Sequence, residues 1–264
     1  LNKAGILVVG NEILDGITLD TNSQWIINHL KPLGLTVHET TTVRDDLHAI
    51  GTALNRLIDD GCNLIFTTGG LGPTHDDMTL QGVAQGLGLP LELDQASLEI
   101  VTRQYRVLHE KGIIESAAMT DSRRKMAILP RGSKPLDNRV GGAPGVLLET
   151  RDATIICLPG VPLELKWIFE EQVTPILKET VRDVYAERIV TLPLRDESTL
   201  APIIDQVMAE SPGVYIKSLV KPYGEEGIRL WVSSLGEDKD EVEARVTEAV
   251  DRLVALTRET LPNG

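Results

Sequence analysis

Cysteine is nearly absent from this 264-residue chain, with Cys62 and Cys157 its only two. Both stand beside or within apolar runs and form no C-x-x-C spacing, which reads as two buried thiols and not as a zinc or catalytic centre. Cations are also scarce. With 26 Lys and Arg against 39 Asp and Glu the formal charge is −13, whereas broad binding to nucleic acid or to an anionic membrane needs the opposite balance. No apolar run approaches the roughly 20 residues that span a bilayer, and Leu1 to Val9 lead straight into a strand-like segment, so a soluble cytoplasmic protein is expected. Internal repeats and low-complexity tracts are missing too. What is left is a chain that is 42% apolar, long enough for two domains, and suited to a small-molecule substrate.

The first part alternates strand and helix signals. Ile6 to Val9 is a short apolar run of the kind buried on both faces of a parallel sheet. Ile26, Ile27, Leu30 and Leu33 share a helical face that Gly34 ends, with Asp20, Thr21 and Asn22 as candidate caps. Leu35 to Val43 is a second strand. Asp45 or Asp46 then caps a helix carrying Leu47, Ile50, Leu54, Leu57 and Ile58, and Leu64 to Thr67 form a third strand. This order implies an α/β fold with a mostly parallel sheet in three layers. A longer helix follows Asp94, and the stretch from the end of that helix to Asn138 reads as irregular, an insertion or lid. Gly145 to Glu149 and Thr154 to Leu158 flank Arg151-Asp152 as a hairpin, and Pro162 opens a helix. From about residue 185 the pattern becomes β-α-β-β-α, a small α+β unit, so the domains are expected at 1–180 and 185–264. Its Gly224-Glu225-Glu226-Gly227 has the outline of an RNA-binding GxxG loop, but two carboxylates between two strands favour a plain hairpin turn.

The third strand runs into Gly69-Gly70-Leu71-Gly72-Pro73-Thr74-His75-Asp76-Asp77. Glycines at 69, 70 and 72 let backbone N–H groups approach an anion, and adjacent carboxylates beside a phosphate make electrostatic sense when a divalent cation bridges them. Asp76 and Asp77 are therefore the candidate metal ligands, with magnesium, manganese or cobalt all chemically suitable. Loops at Glu12, Asp45 and 69–77 all follow strands, and in an open α/β sheet such loops meet in one crevice.

Gly10-Asn11-Glu12, Asp20-Thr21-Asn22, the run from Thr67 to Thr79, Arg124-Lys125-Met126-Ala127, Asn138-Arg139-Val140-Gly141-Gly142-Ala143-Pro144-Gly145 and Leu158-Pro159-Gly160-Val161-Pro162 occur in an order that resembles the amino-terminal region of the CinA (competence/damage-inducible) family. That region lies within the molybdopterin-binding superfamily of molybdenum cofactor biosynthesis, also found fused to eukaryotic FAD synthetases. The tail is similar to the KH-like middle domain of the same family. The resemblance implies a metal-dependent pyrophosphatase that converts ADP-ribose to AMP and ribose 5-phosphate, and no nicotinamide mononucleotide deamidase activity in these residues. Its alternatives are an enzyme that binds and adenylylates a pterin phosphate, and a nucleotide-binding module without catalysis. It also implies self-association, with a dimer as the first expectation.

Residue by residue, the resemblance marks Asp77 and Asp45 as acids for metal binding or water activation, or else as helix caps. Glu12 joins them as a catalytic candidate. Gly69, Gly70, Gly72 and Thr74 are expected at the phosphate, Asn22 at a ribose or behind a loop, Lys125 and Asn138 near the substrate's charge, and Gly160 in a pocket wall. His75, Asp20, Arg124 and Arg139 are weaker candidates, balanced by ordinary surface or capping roles.

Overall fold

The structure, a computed structural model, describes residues 3–194, 196–219 and 227–260. The chain forms two compact units, Leu1–Leu30 with Thr36–Thr180, and Lys31–Leu35 with Val181–Gly264. Lys31–Leu35, expected inside the first domain, thus goes with the second unit.

In chain order the first unit contains β1 (Lys3–Val9), α1 (Asn11–Leu14), α2 (Asn22–Leu30), β2 (Thr36–Val43), α3 (Leu47–Asp59), β3 (Leu64–Thr68), α4 (Thr79–Gly86), β4 (Leu91–Leu93) and α5 (Gln95–Glu110). It continues with α6 (Asp121–Lys125), β5 (Ile128–Pro130), β6 (Lys134–Leu136), β7 (Gly145–Glu149), β8 (Thr154–Leu158), α7 (Pro162–Ile168) and, after a π-helical turn, α8 (Thr174–Thr180). Six strands make one sheet in the order β2-β1-β3-β8-β7-β6. The first four run parallel, and β7 and β6 are added antiparallel.

The apolar runs explain the layers. Every residue of β3 is buried, so both faces of the strand need cover. On one face Leu7 and Ile65 belong to a core with Ile50, Leu54 and Leu57 of α3 and Val83 of α4. On the other, the Phe66 ring lies 5.7 Å from that of Phe169, which Trp25 of α2 meets edge-on at 5.3 Å. Aromatic burial of this kind contributes more than its area alone.

Two expectations need correction. The helix carrying Ile26 stops at Leu30 and tightens into a 3₁₀ turn at Lys31–Leu33, because Pro32 supplies no N–H to continue the ladder. The supposed insertion or lid is part of the fold: β5 pairs with β4, β6 extends the main sheet, and Met126 and Leu129 are buried in the central core.

The second unit is β9 (Val184–Leu192), α9 (Glu197–Glu210), β10 (Val214–Leu219), β11 (Ile228–Gly236) and α10 (Lys239–Thr260), the expected β-α-β-β-α order. Its antiparallel sheet, ordered β10-β11-β9, buries Leu230 and Val232 with Val246 and Leu253 of α10. Positions 224–226 of the GxxG segment lie outside the described residues. Among those described, no helix is long and apolar enough to cross a membrane.

Candidate functional site

Four adjacent parallel strands, β2-β1-β3-β8, bring their carboxyl ends to one edge of the sheet. Strand order reverses at β1, where connections leave in opposite directions, and a crevice opens there. It encloses about 420 Å³ and takes its walls from the loops after each of these strands. Glu12, Asp45, Gly69, Gly70, Gly72, Thr74, Asp76, Asp77 and Gly160 all line it, as their places at strand ends implied.

The glycine loop is held open by its own backbone. Gly69 and Gly70 have φ of +98° and +66°, a region that side chains disfavour. Thr79, fully buried, fastens both: its Oγ1 donates to the Gly69 carbonyl at 2.7 Å and its N–H to the Gly70 carbonyl at 3.1 Å. The Gly69 N–H donates to Leu158 at 3.1 Å, extending the β3–β8 ladder, and so is unavailable to an anion. The expectation of three phosphate-binding amides therefore narrows to two. The N–H groups of Gly70 and Gly72 meet no acceptor among the described residues.

Asp76 and Asp77 converge on one hydroxyl. Thr74 Oγ1 lies 2.5 Å from Asp76 Oδ1 and 2.5 Å from Asp77 Oδ2, although it has one proton to donate. Asp77 also accepts the Thr74 N–H at 2.8 Å, closing the loop without capping α4. The Thr74 hydrogen bond holds the Asp76 carboxyl below the usual range. Across the crevice Asp45 Oδ2 accepts the Asn11 N–H at 2.8 Å and joins the β2 and β1 loops. The cap of α3 is its neighbour Asp46, which accepts from Ala49 N–H at 2.8 Å. Glu12 sits in the first turn of α1 with its carboxylate against Gly10. Among the described residues no three His, Cys, Asp or Glu side chains gather closely enough to hold a metal alone.

Three expected ligand contacts fall outside the crevice lining. Lys125 Nζ donates to the Thr74 carbonyl, propping the loop. Asn22 is buried and bridges Thr68 Oγ1 at 2.9 Å and the Gly160 carbonyl at 2.8 Å, so it orients a loop and does not reach a ribose. Asn138 is fully buried and saturated: it donates to Ala143 and to Glu164, each at 2.7 Å, and accepts from Val140 and Gly141 N–H. It is corrected from a substrate contact to a scaffold. Of the weaker candidates, Asp20 accepts from Ser23 N–H at the start of α2, Arg139 pairs with Asp137 at 3.1 Å, and the His75 side chain is 96% exposed.

Two residues enter the crevice that the sequence reading passed over, Tyr105 and Glu164. Glu164 stands in the first turn of α7, just past the Pro159-Gly160-Val161-Pro162 run. Burial pushes its carboxyl up, an effect partly offset by the Asn138 hydrogen bond. The signal available was an acid in the first turn of a helix that follows a crevice strand. Both cysteines are buried, and burial raises Cys157 to about 11 against a weaker Thr67 hydrogen bond, which favours its neutral thiol.

Comparison with known proteins gives this geometry a family. Residues 5–179 match the model described as "Probable molybdopterin binding domain". A protein of Aeropyrum pernix is 38% identical over 256 residues, covering 95% of this chain and 92% of its own. One from Pyrococcus horikoshii is 40% identical over 221 residues, 84% of this chain and 85% of its own. The crystal structure of CinA, of unknown function, from Thermoplasma acidophilum is 36% identical with a TM-score of 0.59, covering 66% of this chain and 98% of that one.

Proposed function

Because the chain belongs to the molybdopterin-binding domain family, we propose that its crevice binds a phosphorylated pterin-type molecule and acts at the phosphate. The observation that carries this reading is the pairing of the unengaged Gly70 and Gly72 amides with the Asp76–Asp77 carboxylates on one loop. Amides alone would suffice to hold a phosphate. Two carboxylates aimed at a single hydroxyl beside that phosphate would repel it unless a cation lies between.

The donor set fits such a cation. Magnesium is commonly held by one or two carboxylates together with phosphate oxygens and waters, so a site with two loop carboxylates suits a cation shared with the ligand. Asp76 and Asp77 would hold it, and when bound it would supply Lewis-acid stabilisation of charge on phosphorus-bound oxygens. The remaining roles belong to the chain. The Gly70 and Gly72 N–H groups would orient the pterin phosphate so that one of its oxygens attacks the α-phosphorus of ATP in line, the new P–O bond forming as the bond to the departing pyrophosphate breaks. Asp45 and Glu12, facing them, would accept a proton from the attacking group.

A second reading, hydrolysis of a pyrophosphate such as ADP-ribose to AMP and ribose 5-phosphate, draws on the same loop carboxylates. Product chromatography separates the readings. Pure protein is incubated with pterin phosphate and ATP, and separately with ADP-ribose, NAD or FAD, each with magnesium, manganese or cobalt. Adenylylated pterin supports the first reading, and AMP from ADP-ribose supports the second. Ligand binding without any product would reduce the protein to a binding module. Asp77→Asn keeps an acceptor for the Thr74 N–H while removing charge, so turnover should fall at least about 100-fold with the fold intact.

A further inference from the structure

Two consecutive glycines seat two side chains against one wall of the crevice. A Cβ on Gly141 would overlap the Glu164 carboxyl group, and one on Gly142 would come within 2.9 Å of the Tyr105 ring. The loop bearing them is fixed by Asn138 beneath and by Gln104, which donates to the Gly141 carbonyl at 3.0 Å. The Tyr105 ring is fixed in turn by Arg123, whose guanidinium carbon lies 4.0 Å from the ring centroid. Such a setting is rigid, and rigidity is what a specificity element needs.

The carboxylate held there is unfinished. Asn138 donates to Oε2 at 2.7 Å, and no Lys, Arg or His lies within ion-pair distance among the described residues. An ionised carboxylate has about four lone-pair positions, and the single Asn138 donor leaves accepting capacity open to a ligand in the crevice that Glu164 lines. A partly buried anion without a cation is costly, and N–H donors from a ligand would offset that cost.

On the reading that the crevice binds a phosphorylated ring compound, we infer that Glu164 selects the ring, accepting the paired N–H donors of a 2-amino-4-oxo pyrimidine edge. Pterins and guanine present that edge, with the exocyclic amine beside a ring N–H. Adenine presents an amine beside a ring-nitrogen lone pair, which repels the second carboxylate oxygen. Tyr105 forms the adjoining wall against the flat ring, and the phosphate end reaches the Gly70 and Gly72 amides. The residue thereby favours a pterin over an adenine nucleotide as the molecule recognised by its ring.

Calorimetric titration with neopterin phosphate, GMP, IMP and AMP in magnesium tests this on the wild-type protein. Neopterin phosphate and GMP are expected to bind about 10 to 100 times more tightly than AMP, with IMP between them because it lacks the exocyclic amine. Glu164→Gln replaces two acceptors by one acceptor and one donor, which matches adenine, so AMP should rise to or above GMP. A wild type that binds GMP and AMP equally, or a glutamine variant with unchanged preference, overturns the role of Glu164 and leaves the phosphate site standing. Failure of all four compounds to bind the wild type removes the proposed function itself and this inference with it.

Discussion

Asp45 and Asp46 are chain neighbours with separate duties. Asp46 caps α3, and Asp45 ties two crevice loops together. Asp46→Ala should lower stability by about 1 kcal/mol, as lost caps do, and leave ligand affinity alone. Asp45→Ala should do the reverse, and a denaturant titration run beside a binding assay reads both. At Gly70 an alanine would combine a disfavoured left-handed φ with overlap on Thr79, so about 3 kcal/mol should be lost. Asn138→Ala leaves the Val140 and Gly141 amides and the Ala143 carbonyl without their partner. A loss of about 3 kcal/mol in urea unfolding is expected, and a loss under about 1 kcal/mol would contradict the scaffold role. These residues mark the limits of what the sequence discloses. The acids and glycines of 69–77 announce themselves by clustering, but nothing in the chain distinguishes Gly69, whose amide joins the sheet, from Gly70, whose amide does not. Glu164 depends on Asn138, 26 positions earlier, and no local pattern joins them.

At the scale of elements, legibility follows length. Strands β1 and β3 and helix α3 were readable because buried runs and three-four spacing persist over whole elements. Between residues 120 and 138 the pieces are α6 of five residues and β5 and β6 of three each, too short for any periodicity. Their order comes from tertiary packing of Met126 and Leu129. In the second unit α9 and α10 are joined by Glu210 and Arg252 at 2.7 Å, and the Arg252 hydrogen bond lowers the Glu210 carboxyl from the ordinary glutamate range to about 2. A depressed carboxyl contributes stability above its unfolded value and loses it as pH falls. Unfolding followed between pH 4.5 and about 2 should thus show a steeper loss for wild type than for Glu210→Gln. The difference should shrink in high salt, since the pair is exposed.

For the whole molecule, every crevice residue belongs to the first unit. The Thermoplasma chain, aligned over 98% of its own length to 66% of this one, is a solved structure of comparable extent. A protein ending after Thr180 should accordingly keep its ligand affinity within about threefold, measured by titration. A loss beyond tenfold would tie binding to the second unit. The expected self-association is open to light scattering on the intact chain, where a concentration-independent monomer would remove it.

One detail of that division bears on how the protein is made. Lys31 places its ammonium 4.7 Å from the Trp231 ring centroid, and Gly34 packs against Asp183, so an early five-residue segment completes the later unit. A ribosome delivering about 5 to 20 residues per second would release Lys31 roughly 10 to 40 s before Trp231 exists to meet it. Through that interval the nascent chain must carry the segment unclaimed. The late unit is completed by a segment that translation laid down long before it.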